Sequence, residues 1–63
     1  MDKMTFGTRE AAEQEIRKMR GWNAKPAQAW DYEPKAGNPF LVWVIEISGY
    51  GDPKYLRKDG YVR

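Results

Sequence analysis

Neither cysteine nor histidine occurs anywhere in the chain. Without cysteine there is no disulfide to staple a small scaffold, and nothing marks a secreted, disulfide-built domain. Without either residue the thiolate and imidazole ligands of a structural zinc site are gone. A carboxylate-only site for a hard cation would need an acidic run of the EF-hand kind, and none is present. No metal and no cofactor is therefore expected. Long apolar runs are missing too. The longest covers residues 39–45, far short of the ~18–20 residues that span a bilayer. The first residues carry no apolar signal-peptide core, so the expected location is the cytoplasm, without a membrane partner. Strong charge bias is absent as well. Eleven Lys and Arg stand against nine Asp and Glu, a net charge of +2.

These absences thin out the catalytic options. Acid, base or nucleophile would have to come from Asp, Glu, Lys, Tyr or the three hydroxyl residues Thr5, Thr8 and Ser48. No Gly-x-Ser-x-Gly, Walker or dinucleotide-binding pattern is present, and Gly49-x-Gly51 reads as a hairpin loop. A carboxylate pair could be Asp31 with Glu33 or Glu46; Asp31 and Glu33 would stand about 7 Å apart on one strand face, from the ~3.3 Å rise per residue. Paired like that, they read better as a solvated face than as an acid–base pair. The expectation is a binding protein and not an enzyme.

Aromatic residues are what the chain has in surplus. Its 63 residues allow one domain, residues 1–63. A domain of this size buries only about 60% of the surface its unfolded chain exposes. Large rings compensate for this. There are nine: Phe6, Trp22, Trp30, Tyr32, Phe40, Trp43, Tyr50, Tyr55 and Tyr61. One small core needs fewer, so some are expected at the surface, where self-association as a homodimer would also use them.

The pattern along the chain predicts an α+β fold: one helix packed on a small antiparallel sheet, in the order β-α-β-β-β. Residues 3–6 suggest a short strand ended by Gly7. Thr8 is a helix N-cap. A helix follows over residues 9–20, with Ala12, Ile16 and Met19 as its apolar stripe. Early glutamates and late basic residues suit the helix dipole, Glu13 and Arg17 are spaced to pair, and Gly21 is the C-cap. Pro26 ends the connection, and residues 27–33 alternate as a strand. Breakers fill residues 34–39. Residues 40–48 form the central strand. Leu41, Trp43, Ile45 and Ile47 share its helix-covered face, with Trp43 among the most buried side chains. Residues 54–57 pair back, and Lys58-Asp59-Gly60 makes a tight turn.

On this reading the partner surface is the sheet face away from the helix with its adjoining turns. It comprises Trp30, Tyr32, Phe40, Val42, Tyr50 and Tyr55, with Arg57 and Lys58 at the rim. Aromatic residues and Arg carry most binding energy at interfaces. Whether Trp30 and Phe40 share a face depends on the hairpin register; a slip of one residue sends Trp30 to the core side. An alternative reading is nucleic-acid binding. Basic residues gather at 17–25 and 54–63, and Tyr50, Tyr55 and Tyr61 lie among or beside the second group. That mixture suits phosphate contact and base stacking.

In layout the chain resembles small phage- and prophage-encoded proteins. The matching pieces are the short first strand, the helix opened by Thr8-Arg9-Glu10-Ala11-Ala12, and a meander ending in Lys54-Tyr55-Leu56-Arg57-Lys58-Asp59-Gly60-Tyr61-Val62. Some proteins of this kind are anti-CRISPR proteins, which bind a CRISPR effector complex stoichiometrically and block it. The resemblance implies an inhibitor or adaptor that docks on a larger protein or nucleoprotein complex.

Overall fold

Thr8 opens the helix as its side chain predicts. In the computed structural model, which describes residues 2–20, 22–31, 40–49 and 51–63, its backbone is extended. Its hydroxyl accepts a hydrogen bond from the Ala11 amide at 3.1 Å. That satisfies one of the donors every helix start leaves unpaired. Helix α1 then covers Arg9–Ile16, shorter than the expected 9–20. Beyond it the chain keeps turning but tightens. Lys18 N donates to Glu15 O at 3.1 Å and Met19 N to Ile16 O at 2.9 Å, the three-residue spacing of a 3₁₀ turn. Arg17, Lys18 and Arg20 therefore lie past α1 and not in its last turn. The ion pair along the helix is Arg9–Glu13 at 2.9 Å, not the expected Glu13–Arg17. Gly21 lies outside the described residues.

Three strands follow: β1 Ala24–Asp31, β2 Phe40–Ile47 and β3 Lys54–Tyr55. They form one antiparallel sheet in the order β1-β2-β3, which is the α+β class read from the sequence. β1 begins earlier than expected and runs through Pro26. The reason lies in where the backbone groups point. Trp43 exchanges both its backbone hydrogen bonds with Phe6, and Ile45 O accepts from Leu56 N. These groups of β2 thus face away from β1. Their β1 partners, Gln28 and Pro26, turn their own backbone toward the open edge. Pro26 lacks an N–H where the ladder needs none, the one setting in which a strand tolerates proline.

The segment expected as the first strand contributes two isolated bridges, Lys3↔Arg57 and Phe6↔Trp43. It still seals the second edge of β2. Phe6 N donates to Trp43 O at 2.8 Å, Met4 N to Leu56 O at 3.0 Å, and Lys58 N to Asp2 O at 2.9 Å. After β3 the chain folds back on itself. Tyr55 and Arg63 exchange backbone bonds at 3.0 and 3.2 Å, and Arg57 N donates to Tyr61 O at 2.9 Å. The turn is the expected one. Gly60 has φ +88°, a conformation open to glycine, and the Asp59 carboxylate accepts from Tyr61 N at 3.0 Å.

The core lies between α1 and the β2 face carrying Ile45 and Ile47. Ala12, Ile45, Ile47 and Leu56 are its buried centre, with Met4, Phe6, Ile16, Met19, Trp43 and Val62 packed around them. Trp43 is only half-buried and carries the Arg9 guanidinium over its ring at 5.8 Å. The expectation that it would be among the most buried residues is corrected: that place belongs to Ile45, Ile47 and Val44. Among the described residues no helix is long and apolar enough to cross a membrane.

Ile45→Ala is expected to lower stability by about 2–5 kcal/mol, a large share of the ~5–15 kcal/mol typical of a domain. Thr8→Ala should remove about 1 kcal/mol through the lost cap. Urea unfolding followed by tryptophan fluorescence measures both.

Candidate functional site

The register settles which rings share a face. Trp30 stands opposite Leu41, and Asp31 opposite Phe40. Since cross-strand partners point to the same side, Trp30 belongs to the face of Leu41, Trp43 and Ile45. Phe40 belongs to the other, with Val42, Val44 and Glu46. The shared face expected for Trp30, Phe40 and Val42 is thus corrected. This is the register one residue away from the one on which that surface was built. Val42 is corrected too: it is only 7% exposed. β2 is the central strand, flanked by β1 on one edge and by Phe6 and β3 on the other. Tyr32 and Tyr50 lie outside the described residues.

Trp30 itself does not reach the core, and helix length explains why. Eight helical residues extend about 12 Å, whereas an eight-residue strand extends about 27 Å. α1 packs through Ala12 on Ile45 and Ile47, while Leu41 nearer the other end of β2 stays half exposed. Trp30, Leu41 and Phe40 are each 50% exposed. Two of them stand on one face and one on the other, all at the same end of the β1–β2 pair. Leu41 had been assigned to the helix-covered face, and only the short reach of α1 reveals it.

Tyr55, Arg57 and Lys58 stand at a second place, with Tyr55 about 20 Å along β2 from Phe40 by the strand rise. Tyr55 is opposite Glu46 and half-buried, with Lys3 Nζ 3.9 Å from its ring centroid. Arg57 is half-buried; its Nη2 donates to Arg63 O at 3.3 Å, its Nη1 lies 4.0 Å from Asp2, and its Nε is buried without a hydrogen-bond partner. Lys58 is exposed. Asp2, Arg57, Lys58, Asp59 and Arg63 line an open hollow of about 560 Å³. Arg63 pairs with Asp59, and its guanidinium lies 5.9 Å from the Tyr61 ring centroid. The eight sequence-derived residues therefore do not form one site. They divide into an apolar tip, a buried valine, a basic ribbon and two positions outside the described residues.

Two of the three serine and threonine hydroxyls have structural partners. Thr8 caps the helix, and Ser48 Oγ accepts from Asn23 Nδ2 at 3.2 Å. Among the described residues no group of three acidic side chains is placed to hold a metal ion. The chain matches no protein-family model, no curated protein and no solved structure.

Because Trp30 is half exposed and outside the core, Trp30→Ala is expected to change stability by no more than about 1 kcal/mol, the scale of one cross-strand pair. Thermal unfolding monitored by circular dichroism checks this.

Proposed function

We propose that this chain is a non-enzymatic binding protein, an inhibitor or adaptor that docks on a larger protein or nucleoprotein complex. One observation carries the reading: Trp30, Leu41 and Phe40 stand half exposed together at one end of the β1–β2 pair. Trp30 and Leu41 are cross-strand neighbours on one face, with Phe40 at the same end on the other, and contiguous apolar surface on a small domain marks an interaction site. Trp is among the residues that most often anchor interfaces, because a large rigid ring buries much area at low entropic cost. The tip lies beyond the reach of α1, so burial there awaits a partner and not the domain's own core. The chemistry of the sequence supports the same side: it holds no histidine and no cysteine, and the Thr8 and Ser48 hydroxyls serve structure. In the form that the phage-protein resemblance suggests, the partner is a CRISPR effector complex and the protein blocks it stoichiometrically.

The test is capture from a bacterial lysate with identification by mass spectrometry, run in parallel with a Trp30→Ala/Phe40→Ala double variant. The wild-type chain is expected to retain a defined partner that the folded double variant loses. Each single change should weaken the purified pair by at least about 1–2 kcal/mol. Equal capture by both chains would remove the tip from the interface.

A further inference from the structure

The hairpin that follows β3 arranges tyrosines and cations in alternation on one face. Leu56 bridges Val62, and Val62 packs toward the core. The flanking residues therefore point the other way, Tyr55 opposite Arg63 and Arg57 opposite Tyr61. Lys3 joins them as the bridge partner of Arg57. The result is a small ribbon face on which each ring has a cation across from it. Lys3 and Arg63 also sit on the Tyr55 and Tyr61 rings. Among the described residues Tyr61 is the most exposed large hydrophobic residue, at 68%.

Charge is concentrated there as well. Residues 2–3 and 57–63 hold four cations, Lys3, Arg57, Lys58 and Arg63, against two carboxylates, Asp2 and Asp59. The rest of the chain holds seven against seven, so this end carries the whole net charge of +2. The carboxylates oppose an incoming anion only weakly. Asp59 is occupied by Arg63 and by the Tyr61 amide. Asp2 is 92% exposed and 4.0 Å from Arg57, a loose surface pair of the kind worth little in water. Arg57 Nε is buried without a hydrogen-bond partner, while Nη2 donates to Arg63 O and Nη1 lies 4.0 Å from Asp2 at the hollow. A guanidinium with its terminal nitrogens at an open hollow suits phosphate oxygens.

We propose that this ribbon face binds single-stranded nucleic acid, with phosphates on Arg57, Lys58, Arg63 and Lys3 and a base stacked on the open side of Tyr61. An unstacked base needs an exposed ring beside backbone-tracking cations, and that pairing is what single-strand binders supply. Duplexes keep their bases stacked inside and would leave Tyr61 without a role. The site is separate from the apolar tip, so it stands or falls independently of the docking reading above.

Fluorescence anisotropy with a short labelled oligothymidylate or oligouridylate tests it, with the duplex and heparin as competitors. Two to four phosphate contacts predict a log–log salt slope of about −1.4 to −2.8. Affinity then drops about 7- to 50-fold between 50 and 200 mM salt. Tyr61→Ala should weaken binding about 5- to 150-fold at constant salt, the worth of one stacked base, while Tyr61→Phe binds as the wild type does. Lys58→Gln should lower the slope by about 0.7 with little change in melting temperature. Trp30→Ala/Phe40→Ala should bind the oligonucleotide unchanged. The proposal fails if no oligonucleotide binds at low salt. It also fails if a folded Tyr61→Ala chain binds as tightly as wild type, or if duplex or heparin competes as well as the single strand, since the face would then be a plain polyanion-attracting patch. Loss of binding in the tip variant would overturn the placement.

Discussion

Leu56 is the joint on which the domain depends. Its amide donates to Ile45 O at 3.1 Å, and its carbonyl accepts from Met4 N at 3.0 Å. Its side chain is buried with Ile45, Ile47 and Ala12, and Val62 is its bridge partner. One residue thus ties the central strand, the N-terminal segment and the C-terminal hairpin to the same core. A chain of 63 residues without a disulfide has few other means of doing so. The alternation about this residue also sorts the side chains after it. Leu56 and Val62 turn inward to the core, Tyr55, Arg57, Tyr61 and Arg63 form the ribbon face, and Lys58 in the turn lies at the hollow beside Arg57.

Much of this was legible in the residues. Thr8 marks the helix start because a hydroxyl before a run of helix formers has a donor to satisfy. Phe40–Ile47 declares itself as the central strand because both its faces are apolar. Asp59-Gly60 marks the last turn because only glycine takes its φ easily. What remained hidden was non-local. Pro26 reads as a breaker until the bonding of Trp43 and Ile45 shows that its nitrogen faces an open edge. The end of α1 has no signal, since residues 17–20 are good helix formers that tighten into a narrower turn.

The candidate residues show the same division. Tyr55, Arg57 and Lys58 are read from the sequence as part of one partner surface and its rim, and the structure sets them apart from Trp30 and Phe40. Tyr61 lies beside the same basic residues and was weighed only as a stacking group, not placed in the site. Trp30, Phe40 and Val42 were grouped by alternation within each strand, but alternation says nothing about which face of one strand matches which face of the next. Register is set across residues 32–39, where no local rule fixes the count. Leu41 was missed because a face assigned to the helix is taken as covered along its whole length, whereas the helix spans less than half the strand's length.

The pairing of Met4 with Leu56 joins positions separated by most of the chain. Closing so large a loop costs entropy before any contact repays it, and folding slows as contacts become more distant in sequence. The β1–β2 pair can form early from neighbouring segments, yet until the N-terminal segment settles, β2 keeps an unpaired edge at Trp43. Pro26 blunts the other edge by removing a donor from it. The half-made sheet therefore offers a passing strand a poor template on one side and a brief one on the other, a kinetic protection built into a domain too small to bury its edges.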